Sequence, residues 1–270
     1  MYDVFDPSEL LSLQKMLRFL PIDPEDEDEV DVINYINNIA KLITVNFRSE
    51  QYQFAYFGVH ILYMTYIYCA IWKIAQIIPD RYRDAITFAK PYKGKEQGFD
   101  INDPISVFSY TYIPEKEIAK IFKIIDLDHS QITMVGNLVD SRNDMAHASG
   151  KITILNEDIF NSNFHSVLVS MKNIQSCMNV QIREWYKGVL TKFCTGGYEE
   201  YSNPLDIITE QMIKSFKLSV NELLVCNEMS IKSLIDSNKG DEEYISKLKC
   251  FKKTLNSYCH ENDIAADCAL

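Results

Sequence analysis

Residues 141–150, with the sequence SRNDMAHASG, contain the side chains best suited to catalysis: Arg142, Asn143 and His147. The guanidinium of arginine is always charged, and the imidazole of histidine exchanges a proton near neutral pH. The apolar residues of this stretch and the one before it recur at spacings of three and four, which predicts a helix with one buried face: Ile132, Val135, Val139 and Ala146. Arg142 falls on that same face. Because a charge is seldom buried without a partner, Arg142 is the first candidate for a functional residue.

The spacing of Arg142 and His147 limits what one helix can do with them. On an α-helix, two side chains five residues apart point in directions that differ by about 140°, and they lie about 7.5 Å apart along the axis. The two side chains therefore cannot grip one small atom together from a single straight helix. They could line the two walls of a groove if a second copy of the helix packed alongside, so the spacing favours a symmetric dimer.

The pattern of Arg142, Asn143, three further residues and His147 in a helical chain resembles the Arg-X4-6-His motif of the HEPN superfamily of ribonucleases and toxins. The resemblance covers residues 141–150 closely and residues 30–195 loosely, through a long aromatic-rich helix followed by the helix that carries the motif. HEPN toxins that pair with nucleotidyltransferase antitoxins have Tyr two places after the His, where this chain has Ser149. Control by modification of a tyrosine at that position is therefore not expected.

The resemblance implies a metal-independent endoribonuclease that acts as a homodimer on RNA and needs no cofactor. Carried onto this chain, it implies that Arg142 holds the scissile phosphate, that His147 is the acid or the base, and that Asn143 orients one of them. By analogy with toxins and phage-defence effectors, we also expect an inhibitory or activating protein partner. The alternative is a non-catalytic helical dimerisation or adaptor module, in which Arg142 forms an interface ion pair and His147 merely ends a helix.

The periodicity predicts an all-α fold, a HEPN-like helical bundle with a C-terminal helical extension. Residues 1–195 would form the HEPN-like domain, with an acidic linker near residues 23–31, and residues 204–262 would form the extension. Helix signals recur throughout: the sequence SVNE at Ser219 is a capping box, Gly196 and Gly197 follow a long amphipathic pattern, and Pro204 opens another helix.

The distribution of charge leaves room for one local RNA-binding surface. The net charge of −11 argues against a protein that coats nucleic acid, yet seven acids in the linker account for most of it and leave −4 for the remainder. Residues 80–95 carry a net charge of +3. Residues 81–103 combine lysine and arginine with aromatic side chains in a predicted loop. The candidate RNA-binding residues are Arg81, Arg83, Lys90, Lys93 and Lys95.

Residues 51–72 contain no acidic or basic side chain other than His60, and they are long enough to span a bilayer. Tyrosines lie along the middle of the stretch rather than at its two ends, which favours a buried helix of a soluble bundle; a membrane-associated effector is the third hypothesis. His60 is interpreted as a core histidine or as a neighbour of the Arg142 motif. The seven cysteines form no Cys-x-x-Cys pair and the histidines no cluster, so we expect a reducing, cytoplasmic location and no metal site.

Overall fold

A computed structural model describes residues 10–22, 30–89, 106–146, 153–154, 156–201 and 203–265 of the chain. Residues 30–31 and 144–146 are placed as helix without their side chains. Several residues singled out from the sequence lie outside the described part: most of the acidic linker, Lys90, Lys93, Lys95 and His147.

The described residues are helical and contain no β-strand, which confirms the predicted all-α class. The α-helices are α1 (Leu11–Leu17), α2 (Val30–Arg48), α3 (Tyr52–Ile77), α4 (Pro79–Ile86), α5 (Glu115–Ile118), α6 (His129–Ala146), α7 (Glu157–Cys194), α8 (Pro204–Asp206), α9 (Val220–Glu228), α10 (Lys232–Ser237) and α11 (Glu242–Glu261). Shorter-pitch 3-10 turns occupy Val107–Tyr112 and Ala119–Ile125, and a π-helix, Ile207–Ser215, continues α8.

Helix α3 is the centre of the molecule, as the lack of charge in residues 51–72 predicts. It is buried on nearly every side, and it packs against α2, α4, α6 and α7. Among the described residues it alone is long and apolar enough to cross a membrane, but 83% of its most apolar window is buried inside the protein. A helix covered by its own chain in this way fits the core of a soluble bundle.

Helices α2 and α7 both pack against α3. The apolar stripe of α2 is buried as predicted: Ile33, Ile36, Ala40 and Ile43. Gly58 of α3 permits close contact, because a Cβ at that position would lie 2.5 Å from Ile43 Cγ1. Tyr66 of α3 donates to the backbone oxygen of Met171 in α7 at 3.0 Å. These contacts hold the three helices together.

The C-terminal helices pack onto the same apolar core as the rest of the described chain. The backbone of Ile22 donates to Leu218 at 3.0 Å, and α9 and α11 both contact α7. The predicted capping box is present: Ser219 Oγ accepts from Glu222 N, and the Glu222 carboxylate accepts from Ser219 N at 2.8 Å. The predicted domain boundary between residues 195 and 204 remains a prediction. The described residues before and after it share one apolar core.

The basic segment after α3 differs from its prediction. Residues 81–103 are predicted as a loop, but Arg81 and Arg83 lie in helix α4, which begins at Pro79. Proline is favoured in the first turn of a helix because its missing N–H has no helical acceptor there. Pro79 therefore starts a new helix directly after α3 ends, and residues 90–103 lie outside the described part.

Candidate active site

Helix α6 places Arg142 beside α5. Its N-terminus is capped by Asp128, whose Oδ1 accepts from Gln131 N at 2.9 Å. Val135 and Val139 are buried, and α6 contacts α3, α5 and α7. Arg142, one turn after Val139, lies where this buried face meets the surface, and its side chain is 26% exposed.

Glu115, the first residue of α5, is the partner of Arg142. The Nη2 of Arg142 lies 2.5 Å from Glu115 Oε1 and 2.6 Å from Oε2. Charge-assisted bonds of this kind are about twice as strong as neutral ones. Among the described residues, Nε of Arg142 is buried without a partner, and both bonds to Glu115 use Nη2. The guanidinium is thus held by Glu115 through one terminal nitrogen.

His60 of α3 contacts the same carboxylate. Its Nε2 is 3.3 Å from Glu115 Oε2, and its side chain is only 2% exposed. Since an ionised carboxylate can only accept, Nε2 must carry the proton. Nδ1 is buried and has no partner among the described residues. The histidine is therefore a neighbour of Arg142 through Glu115, which is one of the two interpretations of its place in the sequence.

Glu115 remains ionised at neutral pH in this environment. Burial raises the pKa of its carboxyl, but the hydrogen bonds and charges of His60 and Arg142 outweigh burial and hold that pKa below its ordinary value. Three helices, α3, α5 and α6, thus meet at one carboxylate, which we call the Arg-Glu-His cluster: Arg142, Glu115 and His60.

A second ion pair fastens α5 to α6 on the outer side of the cluster. Lys116 Nζ contacts Asp140 Oδ1, and about half of each side chain is exposed. Exposed ion pairs contribute little to the free energy of unfolding, about 0–1 kcal/mol. The position of Glu115 therefore depends mainly on the cluster itself and on the buried Ile118 at the end of α5.

The structure brings only some of the predicted site residues together. Arg142 is in the cluster, and Asn143, half-buried, follows it on α6, whereas His147 lies outside the described residues. Arg81 and Arg83 are exposed on α4, and Arg83 pairs with Asp80 at 3.0 Å. The neighbouring aromatic Tyr82 is buried and therefore cannot stack on a base.

Glu115 is the site residue that sequence reasoning missed. The position of Arg142 on an apolar face indicates that a carboxylate lies nearby. The chain has 38 aspartates and glutamates, and nothing in the sequence distinguishes Glu115 from the others. The described residues contain no group of three or more His, Cys, Asp or Glu that could hold a metal ion.

In chemical terms the cluster is an anchored guanidinium that is partly open to solvent and could bind an oxyanion. Its anchor, Glu115, is only 19% exposed, and its orientation is set by two further helices. Comparison of the chain with known protein families, curated proteins and solved structures finds no match, so the interpretation of this site depends on its geometry and on the Arg142 motif.

Proposed function

We propose that this chain is a metal-independent endoribonuclease of the HEPN type, a toxin or phage-defence effector that acts in the cytoplasm as a homodimer. The observation that supports this most is the anchored Arg142: a partly exposed guanidinium held by the carboxylate of Glu115, five residues before His147. A fixed guanidinium can stabilise charge on a phosphate without rearranging during the reaction. An inhibitory or activating protein partner would restrain such an activity.

The proposed reaction is attack by the RNA 2′-hydroxyl on the adjacent phosphorus. A base accepts the hydroxyl proton while the 2′-oxygen bonds to phosphorus, the bond from phosphorus to the 5′-oxygen breaks, and an acid protonates that leaving oxygen. The products are a 2′,3′-cyclic phosphate and a 5′-hydroxyl. Arg142 would contact the non-bridging oxygens, His147 would transfer a proton, and Asn143 would orient one of these two.

The buried His60 cannot serve as the second proton-transfer group, because at 2% exposure its ring does not reach substrate. In-line cleavage is accelerated when an acid and a base lie on opposite sides of phosphorus. The second group in our proposal is therefore His147 of a second copy, brought across a twofold axis. His60 and Glu115 would act as positioning residues for Arg142.

The second candidate function is a non-catalytic dimerisation or adaptor module. The observation that favours it is the ion pair itself, because Glu115 already satisfies the charge of Arg142 within one chain. In this interpretation the cluster joins α3, α5 and α6 and has no substrate.

The test of the proposed function is cleavage of single-stranded RNA by purified protein in the presence of EDTA. We expect chelator-resistant cleavage and products that end in a 2′,3′-cyclic phosphate, identified by mass spectrometry. Cleavage that stops in EDTA and returns with Mg²⁺ or Mn²⁺ would refute the metal-free mechanism. No cleavage by a folded dimer would favour the adaptor module.

Subunit mixing tests whether each site needs two chains. If wild-type and His147→Ala subunits are unfolded and refolded together, a fraction f of intact chains should give activity per total protein that falls as f squared. Independent sites would give a line proportional to f, and a dimer that needs one His would lie above it. The measurement is cleavage rate against mixing ratio, with exchange verified by differently tagged subunits. A linear result would exclude the two-histidine site.

A further inference from the structure

A basic notch lies between helices α9 and α11, in the C-terminal part of the chain. Four of its residues follow one face of α11 at spacings of three, one and three: Lys249, Lys252, Lys253 and Asn256. Asn227 and Ile231, at and after the end of α9, form the other wall. The notch is shallow and has a volume of about 340 Å³.

The charge of the notch is opposite to that of the whole protein. Its lining contains three lysines and no acid, in a chain with a net charge of −11. Lys249 and Lys253 are exposed and have no carboxylate partner among the described residues. Lys247, on the same helix but outside the notch, is by contrast paired with Glu243 at 2.7 Å. The two exposed ammonium groups of the notch are therefore free to bind an anion.

Lys252 has a different position in the notch. Its Nζ donates to the backbone oxygens of Cys226, at 3.1 Å, and Asn227, near the C-terminal end of α9. These carbonyls carry partial negative charge, but the nearest acid that acts on Lys252, Glu228, does not line the notch. The ammonium group of Lys252 thus provides fixed positive charge at the bottom of the notch, and its hydrogen bonds join α11 to α9.

A side-chain hydrogen bond joins the two walls of the notch. Asn227 Nδ2 donates to Asn256 Oδ1 at 3.4 Å, and Asn256 lies one turn after Lys252 and Lys253 on α11. The two walls are therefore held together, and the lysine ammonium groups suit a ligand that carries phosphates.

We propose that this notch binds the sugar-phosphate backbone of single-stranded RNA, with Lys249 and Lys253 contacting phosphates and Lys252 adding fixed positive charge. The choice of RNA rests on the proposed function, because RNA is the substrate it implies. The notch would hold the substrate away from the reacting phosphate, through contacts that do not depend on base sequence.

The test measures binding of a 2′-O-methyl oligoribonucleotide, which has no 2′-hydroxyl to attack and is not cleaved by the proposed reaction. Lys249→Gln/Lys253→Gln should weaken binding about tenfold at low salt and reduce the slope of log affinity against log salt concentration by about 1.4, because each phosphate of a single strand that a lysine neutralises adds about 0.7 to that slope. Lys252 is not substituted in this variant, because its side chain joins two helices.

The matched control is Lys41→Gln/Lys123→Gln, which removes the same charge from two exposed lysines on α2 and the Ala119–Ile125 turn. It should leave the slope within error of wild type. Equal reductions of affinity in both double variants, or no reduction in the first, would overturn the proposal. So would displacement of the oligonucleotide by low-millimolar inorganic phosphate at constant ionic strength, because a single free phosphate group would then be the ligand. Because no step involves cleavage, the result is independent of the ribonuclease test.

Discussion

Arg142→Ala and His147→Ala are each expected to abolish detectable RNA cleavage, while Arg142→Lys should retain the fold and lose at least a hundredfold in kcat/KM. Removing one positioned charge from a transition state costs about 10²–10³ in rate, and removing a general acid or base costs about 10²–10⁴. A lysine can still pair with Glu115, but its ammonium lacks the planar donors that hold a phosphate in one orientation. Initial rates in EDTA provide the measurement.

The lysine variant separates catalysis from structure at this site. Arg142→Ala leaves Glu115 with His60 as its only partner in the cluster, so this variant should also unfold at a lower temperature. Arg142→Lys should melt close to wild type. If Arg142→Ala cleaves RNA at the wild-type rate and only its melting temperature falls, the ion pair is structural and the adaptor module becomes the better interpretation.

The cluster shows how far the sequence could lead. The apolar stripe through Val135 and Val139 correctly placed Arg142 at a buried face and implied that it has a partner. Glu115 lies 27 residues earlier, in a helix of four residues, and the contact depends on how α5 packs against α6. Local periodicity carries no information about such a tertiary contact.

The long helices followed from sequence because their signals are local and repeated. The uncharged stretch of α3, the apolar face of α7 and the capping box at Ser219 each depend on spacing alone. Helix α4 did not follow, because eight residues are too few for a clear period. The helix that Pro204 opens was predicted, but the π-helical form of Ile207–Ser215 was not, because the sequence pattern does not distinguish it from an α-helix. Lys73 lies directly after the uncharged stretch of α3, and its burial was not predicted.

Lys73→Met is expected to lower the free energy of unfolding by about 3–5 kcal/mol, the largest stability effect that the structure implies. The Nζ of Lys73 in α3 contacts Glu222 Oε2 in α9, and the two side chains are only 2% and 3% exposed. Methionine fills a similar volume, so packing is largely retained. The destabilisation arises because Glu222 is left as a buried carboxylate without its counter-charge, with Ser219 N as its remaining donor among the described residues.

The double variant Lys73→Met/Glu222→Gln should recover most of that stability. Glutamine carries no charge, and its side-chain oxygen can still accept from Ser219 N and preserve the capping box. Urea unfolding of the wild type, both single variants and the double variant gives the coupling energy between the two positions. Lys187→Met, which breaks the exposed pair with Glu184 on α7, is the matched control and should cost less than about 1 kcal/mol. A double variant as unstable as Lys73→Met alone would show that the stability comes from the packing of the lysine side chain. Recovery would show instead that the loss in Lys73→Met comes from the unpaired buried carboxylate of Glu222.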